Sequence, residues 1–279
     1  MEFMLKKISD YGTENPIVAR TSVQVSNLLQ PFSIPKPQKE RIIEIFFSMF
    51  QPRLIRCLEV VNRISSKIDK FNAEIQENGI KTQSDGRILD LPHITQLQED
   101  VETYLYNAKS ALRDLALLFE PFFNEKFDYS EYQQISEWAT AKFGQDALLP
   151  TLLKSDQEWI KYVVNHQNAI EHPGGHAGRL YVENYQVAQS QESGAHQIIP
   201  PTWHLNNDNP TLLLPDLEVI LSNLLEFSEY LLVACLKQYG SPFPIIFYQI
   251  PEEERDSSAP VRLAVTMDFG HGSRHQAEG

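Results

Sequence analysis

ITQLQEDVETYLYNAKSALRDLALLF, residues 94–119, is the stretch on which the fold turns. Its apolar residues Ile94, Leu97, Val101, Leu105, Ala108, Leu112, Leu115 and Phe119 recur at steps of 3-4-4-3-4-3-4. Residues three and four apart share one face of an α-helix, so this spacing predicts a long helix with a single apolar stripe. The period is close to a coiled-coil seam and requires a facing partner. Upstream, Leu54, Leu58, Val61, Ile64, Ile68, Phe71 and Ile75 form a second stripe of the same kind. Between the two lies ENGIKTQSDGRILDLP (77–92), with Asn-Gly and Asp-Gly turn signals. The expectation is an antiparallel helical hairpin whose stripes are core. Pro52, which has no backbone N–H to donate, is expected to kink or divide the first helix.

Working outward, YSEYQQISEWATAKFG (129–144) reads as a shorter helix stopped by Gly144. SDQEWIKYVVNHQNAIEHPGG (155–175) carries a capping-box pattern, Ser155 as N-cap with Glu158 three residues on, and an apolar side of Trp159, Ile160, Val163, Val164 and Ile170. Pro173-Gly174-Gly175 ends it. GRLYVENYQVA (178–188) and QIIPPTWHL (197–205) read as extended pieces. Pro215 opens an apolar helix to about Gln238, with acidic residues in its first turn and Gly240 after its end. PIIFYQI (244–250) and VRLAVTMDF (261–269) read as two strands joined by the solvated loop PEEERDSSAP. The N-terminal 1–37 reads as an arm or linker: PIVARTSVQV (16–25) as a short extended piece, the following prolines as a linker or helix approach. The domain reading is an arm over 1–37, a helical domain over 38–240 with a short β insertion near 178–205, a β-hairpin over 241–270 and a disordered tail over 271–279. The fold class is mainly α, a bundle with a long antiparallel helical hairpin and a small β appendage.

Composition narrows the chemistry. The 279 residues are 42% hydrophobic, enough for a substantial core, with a formal net charge of -13 and a pI near 5.1. That field repels phosphate backbones at long range and disfavours broad non-specific nucleic-acid binding, though not a local basic pocket. Cys57 and Cys235 sit inside apolar helical patterns without CxxC spacing, which predicts buried free thiols. The start MEFMLKKISDYG has no apolar segment followed by a small-residue cleavage site, so secretion is not expected, and no apolar run is expected to approach the roughly 18 residues of a membrane span. The expected compartment is the cytoplasm, with no membrane partner. No phosphate-cradling glycine loop, dinucleotide turn or nucleophile elbow occurs, and no cofactor is implied.

The segment NHQNAIEHPGG (165–175) resembles the motif region of the HEPN superfamily of helical-bundle proteins. In that family a long helical hairpin precedes a helix bearing an arginine, commonly followed by asparagine, and about a turn later a histidine. Asn168 and His172 match the asparagine and histidine, and Pro173-Gly174 follows them as it often does in the family. Gln167 stands where the family has arginine. The resemblance spans roughly residues 40–240 and implies a HEPN-type bundle and a homodimer in which two motifs meet. It implies a binding or regulatory module of a bacterial defence or toxin–antitoxin-type system, with protein or RNA as partner. The alternative it carries is a metal-independent endoribonuclease. His172 would then be general base, with Asn168 and Gln167 beside it, and an arginine such as Arg113 or Arg179 would stabilise the transition state. Glutamine donates a hydrogen bond but brings no positive charge, so the resemblance speaks for the fold more strongly than for the activity. Candidate binding residues are Asn165, His176, Arg179 and Tyr185.

Each of these residues also has a purely structural reading. At about 100° per residue, His172 shares a face with Asn165 and Asn168, while Gln167 points about 140° away. A histidine in the last turn complements the helix dipole without any catalysis. Tyr181, Tyr185 and Trp203 either line a groove or cover the bundle, and the cover is the favoured reading. His166, His172 and His176 lack a tight ligand spacing, so no metal site is assigned.

Overall fold

The computed structural model describes residues 10–78, 91–127, 132–189 and 196–268. In chain order its helices are α1 (Pro16–Val18), α2 (Gln24–Leu29), α3 (Lys36–Glu44), α4 (Gln51–Asn78), α5 (Leu97–Ala116), α6 (Phe119–Phe123), α7 (Tyr132–Phe143), α8 (Leu148–Ser155), α9 (Gln157–Glu171) and α10 (Leu213–Tyr239). The strands are β1 (Leu180–Glu183), β2 (Gln186–Gln189), β3 (His196–Ile199), β4 (Thr202–Leu205), β5 (Thr211–Leu212), β6 (Ile245–Gln249) and β7 (Leu263–Met267). The protein is mainly α with a small β part. The described residues form two compact units, each gathered from discontinuous stretches. One lies within Met1–Pro52, Ala111–Gln157 and Leu225–Gly279, the other within Arg53–Ser110 and Glu158–Leu224. Most of the loop expected at 77–92 and the whole tail, with His271 and His275, lie outside the described residues.

The second unit contains the helical hairpin read from the sequence. Arg53 meets Asn107, the Cys57 thiol points at the Tyr104 carbonyl, Arg63 pairs with Asp100 at 2.6 Å and Lys67 reaches the Thr95 carbonyl. Partner numbers fall as residue numbers rise, so α4 and α5 run antiparallel. Every residue of the 94–119 stripe is buried. Burial also pushes the Cys57 thiol up from its ordinary range, in line with an inert core cysteine. The Tyr104 hydroxyl donates to the Leu217 carbonyl at 2.6 Å, which fixes the first half of α10 on the hairpin. Strands β1, β4 and β5 make one antiparallel sheet, and β2 with β3 makes a separate hairpin. The single strand expected over 178–188 is therefore two strands with different partners. The break is Asn184, whose side chain accepts from the Ile94 N–H and donates to the Ile94 carbonyl.

The first unit overturns the reading of residues 16–25 as an extended arm. Pro16–Val18, the π-helical turn Ala19–Val23 and Gln24–Leu29 follow without a break, opened by Asn15, whose side chain accepts from the Ile17 N–H at 2.9 Å, with Pro16 at the first position. Ile17, Val18, Val25, Leu28 and Leu29 are all buried from this helix, and packing overrides the β propensity of its valines and isoleucine. Pro52 does not divide its helix either. Ile45–Phe50 adopts a π turn immediately before it, with the Gln51 N–H donating to the carbonyl of Phe46 five residues back, and the widened turn accommodates the proline. Ser155 is not an N-cap: it ends α8, and its hydroxyl donates back to the Leu152 carbonyl. α10 begins at Leu213, two residues before Pro215, which falls in the first turn where its missing N–H costs nothing.

Contrary to the expectation that no apolar run approaches that length, α10 is long and apolar enough to cross a membrane, with a mean hydropathy of 1.6. Its apolar window is 67% buried within the protein. On it sits Glu229, 2% exposed and the most enclosed charge of the first unit. Arg20 grips this carboxylate through two nitrogens, Nε at 2.6 Å from Oε1, and the Gln24 amide donates to the same Oε1 at 2.7 Å. Arg262 approaches Oε2 at 3.4 Å and pairs with Glu226 at 2.8 Å. The Gln24 side-chain Oε1 accepts the backbone N–H groups of Arg262 and Leu263, both at 2.6 Å. The network thus joins α1–α2, α10 and the β6–β7 hairpin, which is the hairpin expected over 244–269.

Removing one member of a buried pair strands the others, at a cost of about 3–5 kcal/mol. Glu229→Gln leaves Arg20 and Arg262 without their shared anion and is expected to lower unfolding stability by about that much. Glu59→Gln, which breaks an exposed i,i+3 pair with Arg56, is expected to change stability by less than about 0.5 kcal/mol in the same denaturant titration.

Candidate functional site

The HEPN-like segment forms the end of α9. The helix stops at Glu171, and the His172 N–H still donates to the Asn168 carbonyl at 2.9 Å. A tight turn follows: the Gly175 N–H donates to the His172 carbonyl, the Gly178 N–H to the Gly175 carbonyl and the Gly174 N–H to the Gly178 carbonyl. Gly174 and Gly178 have φ near +80°, a region costly for residues with a Cβ. At Gly178 a Cβ would also lie 1.9 Å from the Asn206 Oδ1. Asn206 closes the turn by accepting the Arg179 N–H at 3.0 Å while its own N–H donates to the Arg179 carbonyl. His172, His176 and Arg179 are all exposed along this turn.

The motif's polar side chains are engaged from α5. Lys109 places its Nζ 2.7 Å from Asn168 Oδ1 and 2.6 Å from Glu171 Oε2. The lysine hydrogen bond is the main reason the Glu171 carboxyl sits below the usual carboxylate range, with a smaller contribution from Gln167. Gln167 is 4% exposed. Its amide nitrogen lies 3.4 Å from Glu171 Oε1, and its Oε1 is buried without a hydrogen-bond partner among the described residues. Helix geometry had put Gln167 on a different face from His172, and that is how they stand: one buried, the other exposed. Asn165 is half-buried on the side of Asn168.

Several proposed site residues fall elsewhere. Tyr185 is 5% exposed and packs edge-on against Phe71 at 5.7 Å, so it covers the hairpin and offers no open binding surface. Trp203 is fully buried and is likewise a cover. Tyr181 stays partly exposed and stacks on its cross-strand neighbour His204 at 5.0 Å. Arg113 is an exposed residue of the first unit, whereas the motif belongs to the second. Arg179 uses its backbone, not its side chain, to close the turn.

Residues that the sequence reading passed over turn out to matter more. His166 is 2% exposed, with its ring 3.8 Å from the Tyr162 ring and 4.7 Å from that of Trp203. Its Nδ1 lies 2.8 Å from the Tyr162 carbonyl, which accepts, so Nδ1 carries the proton of the neutral ring. Trp203 Nε1 and Thr211 Oγ1 both donate to Asp216 Oδ2, at 2.7 and 2.6 Å. This arrangement anchors the β1–β4–β5 sheet to α9 and α10. The local signal for His166 was its place between Val163 and Ala169 on the apolar side of the helix. Lys109 had no local signal, because its partners lie about sixty residues away. Among the described residues, no group of three or more histidine, cysteine or acidic side chains is placed to hold a metal ion.

Burial is the largest influence on His166 and lowers its pKa, while the carbonyl bond and the charges of Asp216 and Asp208 act the other way. The unfolded chain therefore binds this proton first as pH falls through about 6.5. The contribution of neutral His166 to stability is full above that pH and is lost below it, down to the depressed folded value. Denaturant titrations near pH 7.5 and pH 5.5 are expected to show a smaller stability loss on acidification for His166→Phe than for the native chain.

No family model, no curated protein and no solved structure matches the chain.

Proposed function

We propose that the chain is a HEPN-like helical binding or regulatory protein in which the ribonuclease motif has become part of the framework. The observation that carries this reading is Lys109, whose ammonium bridges Asn168 and Glu171. A cation that assists RNA cleavage must face the phosphate oxygen where charge develops. Lys109 faces a carboxylate of its own chain. Gln167, buried and uncharged, supplies no substitute, and a net charge of -13 opposes the approach of a polyanion. The partner of such a module is a protein, and the HEPN resemblance supplies both the expectation of a homodimer and a bacterial defence or toxin–antitoxin-type setting.

The test is incubation of mixed cellular RNA with purified chain in EDTA, beside the His172→Ala variant. The expected outcome is that both leave the RNA intact. Cleavage by the native chain that disappears in His172→Ala would establish the endoribonuclease reading instead. Lys109→Met, scored in parallel by denaturant unfolding, is expected to cost about 1 kcal/mol or less, as befits a partly exposed tie between α5 and α9.

A further inference from the structure

The C-terminal hairpin has two strand edges that differ in how their outward backbone groups are engaged. In the β6–β7 ladder, Ile246 and Tyr248 lie opposite Thr266 and Ala264, and the flanking bonds run from the Ile250 N–H to the Arg262 carbonyl and from the Asp268 N–H to the Pro244 carbonyl. Even-numbered residues of β6 therefore direct their N–H and C=O groups at β7. Ile245, Phe247 and Gln249 direct theirs the other way, and among the described residues those three N–H groups donate to nothing. The opposite edge differs: on β7 the Leu263 N–H is taken by Gln24.

Proteins usually blunt such an edge with a charge, a bulge or a very short strand. Ile245–Gln249 contains no charged residue. The strand is also held firmly: the Phe247 ring stacks on Phe32 at 6.1 Å and Lys237 lies 5.8 Å above it. On the outer face Ile246 and Tyr248 are 46% and 48% exposed.

We propose that β6 pairs antiparallel with β6 of a second copy, joining the two hairpins into one four-stranded sheet. A two-fold axis at Phe247 pairs Phe247 with Phe247 and Ile245 with Gln249. Those are the residues whose backbone groups point outward, so every outward N–H meets an outward carbonyl. The same register sets exposed Ile246 against exposed Tyr248, a β-branched and aromatic pair of the kind that stabilises cross-strand contacts. Charge selects the orientation and the partner. Antiparallel pairing sends the Glu252–Glu254 runs of the two copies to opposite ends of the joint, whereas parallel pairing would set them side by side. In a chain of net charge -13, an uncharged strand is where a second copy meets least repulsion. This assignment does not depend on the motif helix: the HEPN resemblance expects a dimer joined at the motif, and the β6 and His172→Ala variants tell the two contacts apart.

Sedimentation equilibrium of the full chain from about 1 to 100 µM tests it. The native chain is expected to dimerise, and more tightly as added salt screens the like charges. Gln249→Pro removes an outward N–H but no β6–β7 bond, and is expected to weaken the dimer about tenfold or more. Ile246→Lys with Tyr248→Lys sets lysine against lysine in the same register and is expected to do the same, with circular dichroism unchanged. His172→Ala is expected to leave the association constant as it is. A native chain that stays monomeric across the series overturns the assignment. So does a dimer of undiminished strength in both β6 variants, and a dimer broken by His172→Ala alone would place the contact at the motif.

Discussion

The first unit is organised around one buried anion. Glu229 lies on a long apolar helix, where an uncompensated carboxylate would be prohibitively costly. Its compensation comes from sequence-distant places: Arg20 and Gln24 from the N-terminal helices and Arg262 from the residue just before the last strand. Because these partners are required together, the residues expected to form an arm are held as a buried helix. Gln24 shows how closely the parts are fitted. Its amide nitrogen serves the carboxylate, while its oxygen takes the two backbone N–H groups at the start of β7. A single side chain thus stands in for a neighbouring strand on the β7 edge of the hairpin.

The second unit rests on apolar packing with polar groups tied off at its margins. The α4–α5 hairpin buries continuous stripes, and α9 adds a ring stack of Tyr162, His166 and Trp203. Asp216 gathers the donors that this stack brings inward. The HEPN-like motif is placed at the edge of that construction, where its asparagine and the glutamate beside it hold a lysine from the facing helix. In this setting Asn168 and Glu171 serve as joints between helices, and His172 at the helix end is exposed.

The candidate site was partly legible in the sequence. The segment 165–175 was singled out, and helix geometry alone separated Gln167 from His172. Trp203 is buried, as the cover reading expects, whereas Tyr185, also named as a candidate binding residue, is buried against Phe71. His166 was read only as one of three loosely spaced histidines, because nothing local reveals that two aromatic rings enclose it. Lys109 could not be found at all: a lysine near the end of an amphipathic helix looks solvated until its partners about sixty residues away are known.

Periodicity by itself determined the long helices, the helical hairpin, the final strand pair and the buried thiols. Each depends on interactions between residues a few positions apart, or on hydrophobic burial that any facing partner would satisfy. Only the tertiary structure decided that residues 16–25 are helical, that a π turn lets the helix run through Pro52, and that the stretch 178–189 splits between two sheets. Those outcomes depend on which distant groups meet: the burial of Ile17, Val25 and Leu28, the demand of Glu229 for Arg20, and the grip of Asn184 on Ile94. A buried polar group is stable only with a specific partner, and the identity of that partner is carried by no local pattern.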